Sequence, residues 1–172
     1  MEPTQPMDPI IYTPIGIIHT PFTSTVGMPI QSVGAAGTPG TIDLDSRLEA
    51  GLLDLLAFSH LILVTHLHLV TGFDLEVVPF LDDRKHGIFA TRSPRRPNPI
   101  GLSIVRLVGI TGATLQVSDV DVVDGTPLLD LKPFVPAIDN RETTDIGWFA
   151  QRLDRLPTAR ADDRFSPRSK PE

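Results

Sequence analysis

Residues 61–70, LILVTHLHLV, are apolar at almost every position. That is the pattern of a strand covered on both faces, so the chain must build something around it. Residues 10–20, IIYTPIGIIHT, are β-branched and apolar but are broken by Pro14 and Gly16, which points to an edge or bulged strand. Further short strands are expected over 74–80, 86–91, 100–108 and 113–123. In the last of these, Leu115 and Val117 alternate in phase while Val120 and Val122 fall out of phase. One extra residue near Ser118–Asp119 restores the phase, so a bulge is expected there.

Only two stretches read as helix. Ser46 and Glu49 form a capping box, with Leu48, Leu52, Leu55 and Leu56 following at helical spacing. Residues 144–153 place Ile146, Phe149, Ala150 and Leu153 on one stripe. The glycine-rich stretch 27–40 reads as a long mobile loop. Many strands, few helices and no regular βαβ alternation predict a β-rich fold, all-β or α+β: a single barrel-like sheet of short strands. One domain is expected over 10–156, between a flexible N-terminus (1–9) and a disordered charged tail (157–172). With 41% apolar residues, 172 residues can bury a proper core.

Composition narrows the chemistry. There is no cysteine, so disulfides, thiolate metal sites and thiol nucleophiles are excluded. The net charge of −6 excludes a globally basic nucleic-acid binder, but the charge is uneven. Residues 1–83 carry one basic residue, Arg47, against ten acidic ones, whereas Arg84, Lys85, Arg92, Arg95 and Arg96 cluster in thirteen positions. A dense basic loop on an acidic protein is a candidate site for phosphate or carboxylate. The start of the chain has no basic and apolar leader pattern, and no apolar run is long enough to span a membrane. A cytoplasmic location, away from membranes, is expected.

Three segments could carry a site. In HGIFATRSPRRPNPIGLS (86–103), Pro94, Pro97 and Pro99 stiffen the backbone around Arg92, Arg95, Arg96 and Asn98. A stiff loop holds guanidinium groups at little entropic cost, which suits a ligand clamp better than a solvated turn. In DVVDGTPLLDLKPF (121–134), Asp124-Gly125 marks a turn, and Asp130 and Lys132 follow on a strand. By itself this segment reads as a hairpin turn with a salt bridge. His60, His66 and His68 share parity on the expected strand, which puts His66 and His68 on one face. His-x-His can hold zinc, but no carboxylate lies nearby to complete the ligand set, so satisfied or ligand-facing histidines are expected and no metal. Gly34-Ala-Ala-Gly37-Thr-Pro-Gly40 matches neither dinucleotide nor phosphate-loop patterns, which argues against a Rossmann-type enzyme.

Taken together, PIGIIHTPF (14–22), MPIQ (28–31), GTIDL (40–44), FSHL (58–61), HGIFATRSP-R-RPNPIGLS (86–103) and DGTPLLDLKPF (124–134) resemble the TsaA/TrmO (YaeB-like) family of S-adenosylmethionine-dependent tRNA methyltransferases. The likeness runs from about Tyr12 to Phe149. It implies a barrel-like fold and a homodimer with active sites near its interface. It also implies S-adenosylmethionine as methyl donor and methylation of the exocyclic nitrogen of threonylcarbamoyl-adenosine beside the tRNA anticodon. By position in the motifs, the implied cofactor contacts are Pro29, Ile30, Gln31, His68, Leu69, Arg92, Leu102, Asp124, Gly125, Thr126 and Pro127. Arg92 suits the cofactor's carboxylate. Arg95, Arg96, Asn98 and Lys132 are candidates for RNA phosphate or the threonyl carboxylate. Asp124 and Asp130 are candidate proton acceptors.

Two departures stand out: Arg95 occupies a commonly aromatic position, and Phe134 replaces the usual tyrosine. No equivalent of the C-terminal domain of the longer bacterial enzymes is expected. The alternatives are another RNA site or a small metabolite as acceptor, a histidine-based metal hydrolase or binder, and a non-catalytic nucleotide-binding protein.

Overall fold

The structure, a computed structural model, describes residues 8–165. Eight strands form: β1 (Gly16–His19), β2 (Pro39–Leu44), β3 (His60–His66), β4 (Glu76–Val77), β5 (His86–Gly87), β6 (Ile100–Thr111), β7 (Thr114–Ser118) and β8 (Thr126–Pro133). Six of them close into a barrel in the order β1-β2-β7-β6-β3-β8, every pair antiparallel. The expected β-rich, barrel-like fold is therefore present. Closure leaves no barrel strand with an unpaired edge.

Period-2 alternation fills the barrel. Ile18, Ile42, Leu61, Leu63, Val105, Leu115, Val117 and Leu128 point inward and form one core with Leu55, Val120 and Val122. Leu52 and Phe58 pack against that core from the 46–58 segment. Inward positions elsewhere on β3, β6 and β8 carry hydroxyls instead: Thr65, Ser103 and Thr126 are all buried. Ser103 and its neighbour Gly101 border a cavity.

Several sequence expectations change in three dimensions. β3 is not covered on both faces in the single chain: Leu61, Leu63 and Thr65 are fully buried, while Ile62 and Val64 on the outer face are half-buried. A barrel has only one interior, so the apolar outer positions are left at the surface. No bulge sits at Ser118–Asp119. β7 ends at Ser118, and Asp119 adopts a left-handed conformation (φ 71°) that redirects the chain. Its carboxylate accepts Gly37 N at 2.7 Å and Ser118 Oγ at 2.9 Å, and the change of direction delivers both Val120 and Val122 to the core. The ladder irregularities lie instead at Val64/Thr65 and Leu107/Gly109.

The expected helices are short 3₁₀ segments. Asp45, not Ser46, caps the first by accepting Arg47 N at 3.0 Å, and Ser46–Leu52 is separated from Leu55–Ala57 by left-handed Asp54. With Gly51 and Asp54 breaking the run, Leu48 and Leu56 stay exposed. Segment 144–153 becomes Gly147–Gln151 followed by Leu153–Arg155. Strands 74–80 and 86–91 shrink to the two-residue pair β4–β5. The stretch 27–40 holds a 3₁₀ turn, Ser32–Ala35, and the start of β2.

The tail also departs from expectation. Gly27 N donates to Ala161 O (2.7 Å), Ala161 N donates to Met28 O (2.9 Å), and Pro29 bridges Arg160. Phe165 meets Phe80 edge-on at 5.0 Å. Residues 157–165 thus strap the 27–29 loop, because Phe165 and the backbone of 160–161 find partners that composition does not reveal. The rest of the expected flexible ends, 1–7 and 166–172, lies outside the described residues.

Candidate functional site

A cavity of about 380 Å³ opens against the barrel between β6 and the irregular segments around it. Its floor is Gly101–Ser103 of β6 with Asp121 and Val123, and its walls are the 28–31 loop, residues 67–70, residues 79–81, the 91–96 loop and Trp148–Phe149. Leu156, Ala161, Asp162 and Phe165 close it from the C-terminal strap.

Each wall has a physical anchor. Leu67 N donates to Pro99 O (2.8 Å) and Val70 N to Leu67 O (3.0 Å), so β3 ends in a turn that carries His68 into the cavity. Trp148 Nε1 donates to Ala90 O at 2.8 Å, and the ring stacks on His86 at 4.7 Å. His86 Nε2 and Arg152 Nη2 each lie 2.9 Å from the buried carboxylate of Asp82. The hydrogen bond from His86, then those from the Asp83 backbone and Arg152, hold the Asp82 carboxyl well below the usual carboxylate range despite burial. An ionised, fully paired Asp82 therefore fixes one aromatic wall through His86.

Among the polar groups facing the cavity, a few are unspent. His68 Nδ1 and Ser93 Oγ are buried with no hydrogen-bond partner, a condition that costs free energy unless something else supplies the bond. Burial, followed by the charge of His66, lowers the His68 pKa, so its ring is neutral at physiological pH. Arg92 is exposed and donates one long bond, Nη2 to Leu102 O at 3.4 Å.

Seven of the cofactor positions implied by resemblance line this cavity: Pro29, Ile30, Gln31, His68, Leu69, Arg92 and Leu102. Asp124, Gly125, Thr126 and Pro127 do not. In the single chain they stitch β8 to β1. Asp124 Oδ1 accepts Thr20 N (3.0 Å) and His19 Nδ1 (3.3 Å), Gly125 N donates to Ile18 O, Thr126 Oγ1 donates to Val123 O, and Pro127 pairs with Ile17. The Thr20 amide and then His19 lower the Asp124 pKa. Neither candidate proton acceptor reaches the cavity: Asp124 is held in that turn, and Asp130 pairs with Lys132 at 2.6 Å on the barrel exterior.

Of the candidates for phosphate or carboxylate, Arg96 lines the cavity but donates to Ile88 O (3.2 Å) and Thr91 O (2.9 Å). Asn98 is exposed at the tip of the proline-rich loop and Lys132 is remote from the cavity. Arg95, expected to face a ligand, is instead buried. Its side chain is only 5% exposed, and Nε donates to Asp74 at 2.6 Å. A buried ion pair of this kind serves the loop's shape and leaves no charge for a ligand.

The three histidines do not converge: β3 ends at His66, which is exposed, and His68 turns away from it. Among the described residues no group of three or more His, Asp or Glu could hold a metal ion. Sequence reasoning missed Asp121, Ser103 and Trp148. For Asp121 a signal existed, a carboxylate set directly between Val120 and Val122. For Trp148 there was none, because its place depends on Ala90 and His86, about sixty residues away.

Comparison with known proteins identifies the family. Residues 17–140 match the family model of the tRNA-methyltransferase O N-terminal domain. A probable S-adenosyl-L-methionine-binding protein of Pyrococcus abyssi is 49% identical over 91% of this chain and 85% of its own length. The tRNA (adenine(37)-N6)-methyltransferase of Mus musculus is 30% identical over 85% of this chain, but the match spans only 36% of the mouse protein. The crystal structure of TrmO from Pseudomonas aeruginosa superposes with a TM-score of 0.70 at 34% identity, covering 81% of this chain and 62% of that one. With the family model covering most of the barrel and the cavity's principal loops, the chain belongs to the family defined by the N-terminal domain of tRNA-methyltransferase O.

Proposed function

We propose that this chain binds S-adenosylmethionine in the 380 Å³ cavity and methylates N6 of adenosine 37 in tRNA, with threonylcarbamoyl-adenosine as the acceptor nucleoside. The observation that carries the reading is the convergence of Pro29–Gln31, His68, Leu69, Arg92 and Leu102, far apart in sequence, on one cavity.

The donor set fits the cofactor. The volume lies in the ordinary range for small-molecule sites. The apolar side chains of Ile30, Leu69 and Leu102 suit a nucleoside face, and the unpartnered His68 Nδ1 and Ser93 Oγ are available to its polar edges. When bound, S-adenosylmethionine supplies a methyl group activated by a sulfonium. Arg92 holds the cofactor's carboxylate. A neutral His68 can sit close to a sulfonium without repelling it. The apolar walls and the 156–165 strap exclude water, so that positioning of the acceptor nitrogen provides most of the rate. Arg96, with its guanidinium 5.7 Å from the Phe89 ring, and exposed Arg84 and Asn98 present the acceptor-side polar surface.

A homodimer belongs to the same proposal. Ile62 faces Ile104, Val64 faces Leu102 and His66 faces Ile100 across β3–β6. This outward apolar stripe runs up to the cavity rim, where Ile100 and Leu102 are lining residues. A second copy covering it supports an active site near the interface. We place the protein in the cytoplasm as the compartment of its RNA substrate.

The test is nucleoside mass spectrometry of tRNA bearing threonylcarbamoyl-adenosine after incubation with the protein and isotope-labelled S-adenosylmethionine. A labelled methyl on that nucleoside is the expected result. No label from a preparation that binds the cofactor overturns the acceptor and leaves the cofactor site standing.

A further inference from the structure

Two carboxylates line the cavity, and they differ in what they have left to offer. Asp162 is already neutralised: Arg164 Nε and Nη2 donate to its oxygens at 2.6–3.0 Å. Asp121 is held but not neutralised. Its Oδ1 accepts from Ser103 Oγ at 2.5 Å and its Oδ2 from Ser32 Oγ at 3.1 Å. Among the described residues no cation makes an ion pair with it. Burial pushes its carboxyl pKa up, countered by the two hydroxyls and, more weakly, by the field of Arg92.

The two hydroxyls fix the carboxylate's orientation, and each oxygen keeps a further lone pair for a donor in the cavity. Arg92 stands in the same cavity with a guanidinium that makes a single long hydrogen bond. The protein thus keeps one anion and one cation near enough to feel each other, yet not joined as a pair. Keeping a desolvated charge without a partner costs free energy. The arrangement is explained when the partner is a ligand that carries both opposite charges a few atoms apart. An α-amino-acid group is such a ligand.

We propose that Asp121 and Arg92 form a receptor for a zwitterionic α-amino-acid group, with Asp121 accepting from the α-ammonium of the cofactor's methionine portion while Arg92 takes its α-carboxylate. This rests on the cofactor reading above and adds a residue to it. Asp121 is then a binding residue, and it discriminates against adenosine derivatives that lack the amino-acid end.

The experiment is calorimetric titration of the full chain, wild type and Asp121→Asn, with S-adenosylmethionine, S-adenosylhomocysteine and 5′-methylthioadenosine. The amide is isosteric and can still bond Ser103 and Ser32. Asp121→Asn should bind both amino-acid-bearing ligands about tenfold or more weakly, the scale of a hydrogen bond to a charged group. Its affinity for 5′-methylthioadenosine should be unchanged. Equal loss for all three ligands means a damaged cavity and overturns the proposal. Loss confined to S-adenosylmethionine assigns Asp121 to the sulfonium and also overturns it, as does no loss at all.

A measurement on wild-type protein alone guards against a misfolded variant: S-adenosylhomocysteine should bind about tenfold or more tightly than its desamino analogue. Equal binding refutes the ammonium contact. Failure of the wild type to bind S-adenosylmethionine or S-adenosylhomocysteine breaks the cofactor reading and this proposal with it, whereas normal binding by both proteins breaks this proposal alone.

Discussion

The closed barrel and the irregular shell beside it spend their polar groups in opposite ways. In the barrel each strand pairs on both sides, and its interior is a contiguous apolar cluster from Ile18 to Leu128. In the shell, segments 27–35, 67–96 and 147–165 hold one another through single backbone hydrogen bonds, ring stacking and ion pairs. Among the described residues, two of the three buried side-chain atoms without partners, His68 Nδ1 and Ser93 Oγ, sit there, and the third, Thr65 Oγ1, lies at the barrel's register shift. Stability is concentrated where bonding is complete, and binding capacity where it is not.

The contrast predicts different consequences for truncations in the two regions. Leu63→Ala removes a fully buried side chain from the barrel core and should cost about 2–5 kcal/mol of global stability, read from the urea midpoint. Arg92→Ala should leave that midpoint in place, since Arg92 is exposed with one long bond. It should weaken S-adenosylmethionine binding by about 1.5–3 kcal/mol, the scale of a charged hydrogen bond. A shifted midpoint with unchanged affinity would reverse the assignment of the two regions.

Ending the chain after Leu156 should be milder still. The loss of the Phe80–Phe165 contact is worth about 1 kcal/mol. Hydrogen-exchange protection of the 27–31 loop should fall while that of β3 and β6 stays; equal loss in both would show that the strap supports the barrel as well. The smallest effect is one of pH. The Asp82 carboxyl is held below its ordinary value of 3.8, so its contribution is fully present above that value and is lost as pH falls through the lower, folded-state value. Trp148 is the sole tryptophan and stacks on the Asp82-bonded His86. Its fluorescence should change in strong acid, as Asp82 takes up a proton. Asp82→Asn should give the acid-like signal at pH 7.

How far the site could be read in advance depended on how local each residue's job is. Gln31, His68 and Arg92 were identifiable through the short motifs that carry the family resemblance, and those motifs survive into the fold as cavity walls. The DGTP motif was equally legible, but in the single chain its turn serves the β8–β1 junction. Arg95 was misread because its fate depends on Asp74, twenty-one residues back, which turns a candidate clamp into a buried ion pair.

From sequence alone came the strand-rich character, the shared phase of Leu115 and Val117, the basic loop and the family resemblance. All are properties of neighbours along the chain, where side-chain alternation and proline stiffness act over a few residues. Tertiary structure decided which face of β3 is interior, how Asp119 turns Val120 and Val122 into the core, and that residues 157–165 close over the 27–29 loop. It also decided that Asp121, seated between two apolar residues, reaches Ser32 and Ser103 at the edge of the cavity. Each of these outcomes depends on partners brought together from distant parts of the chain by barrel closure, and periodicity carries no record of such meetings.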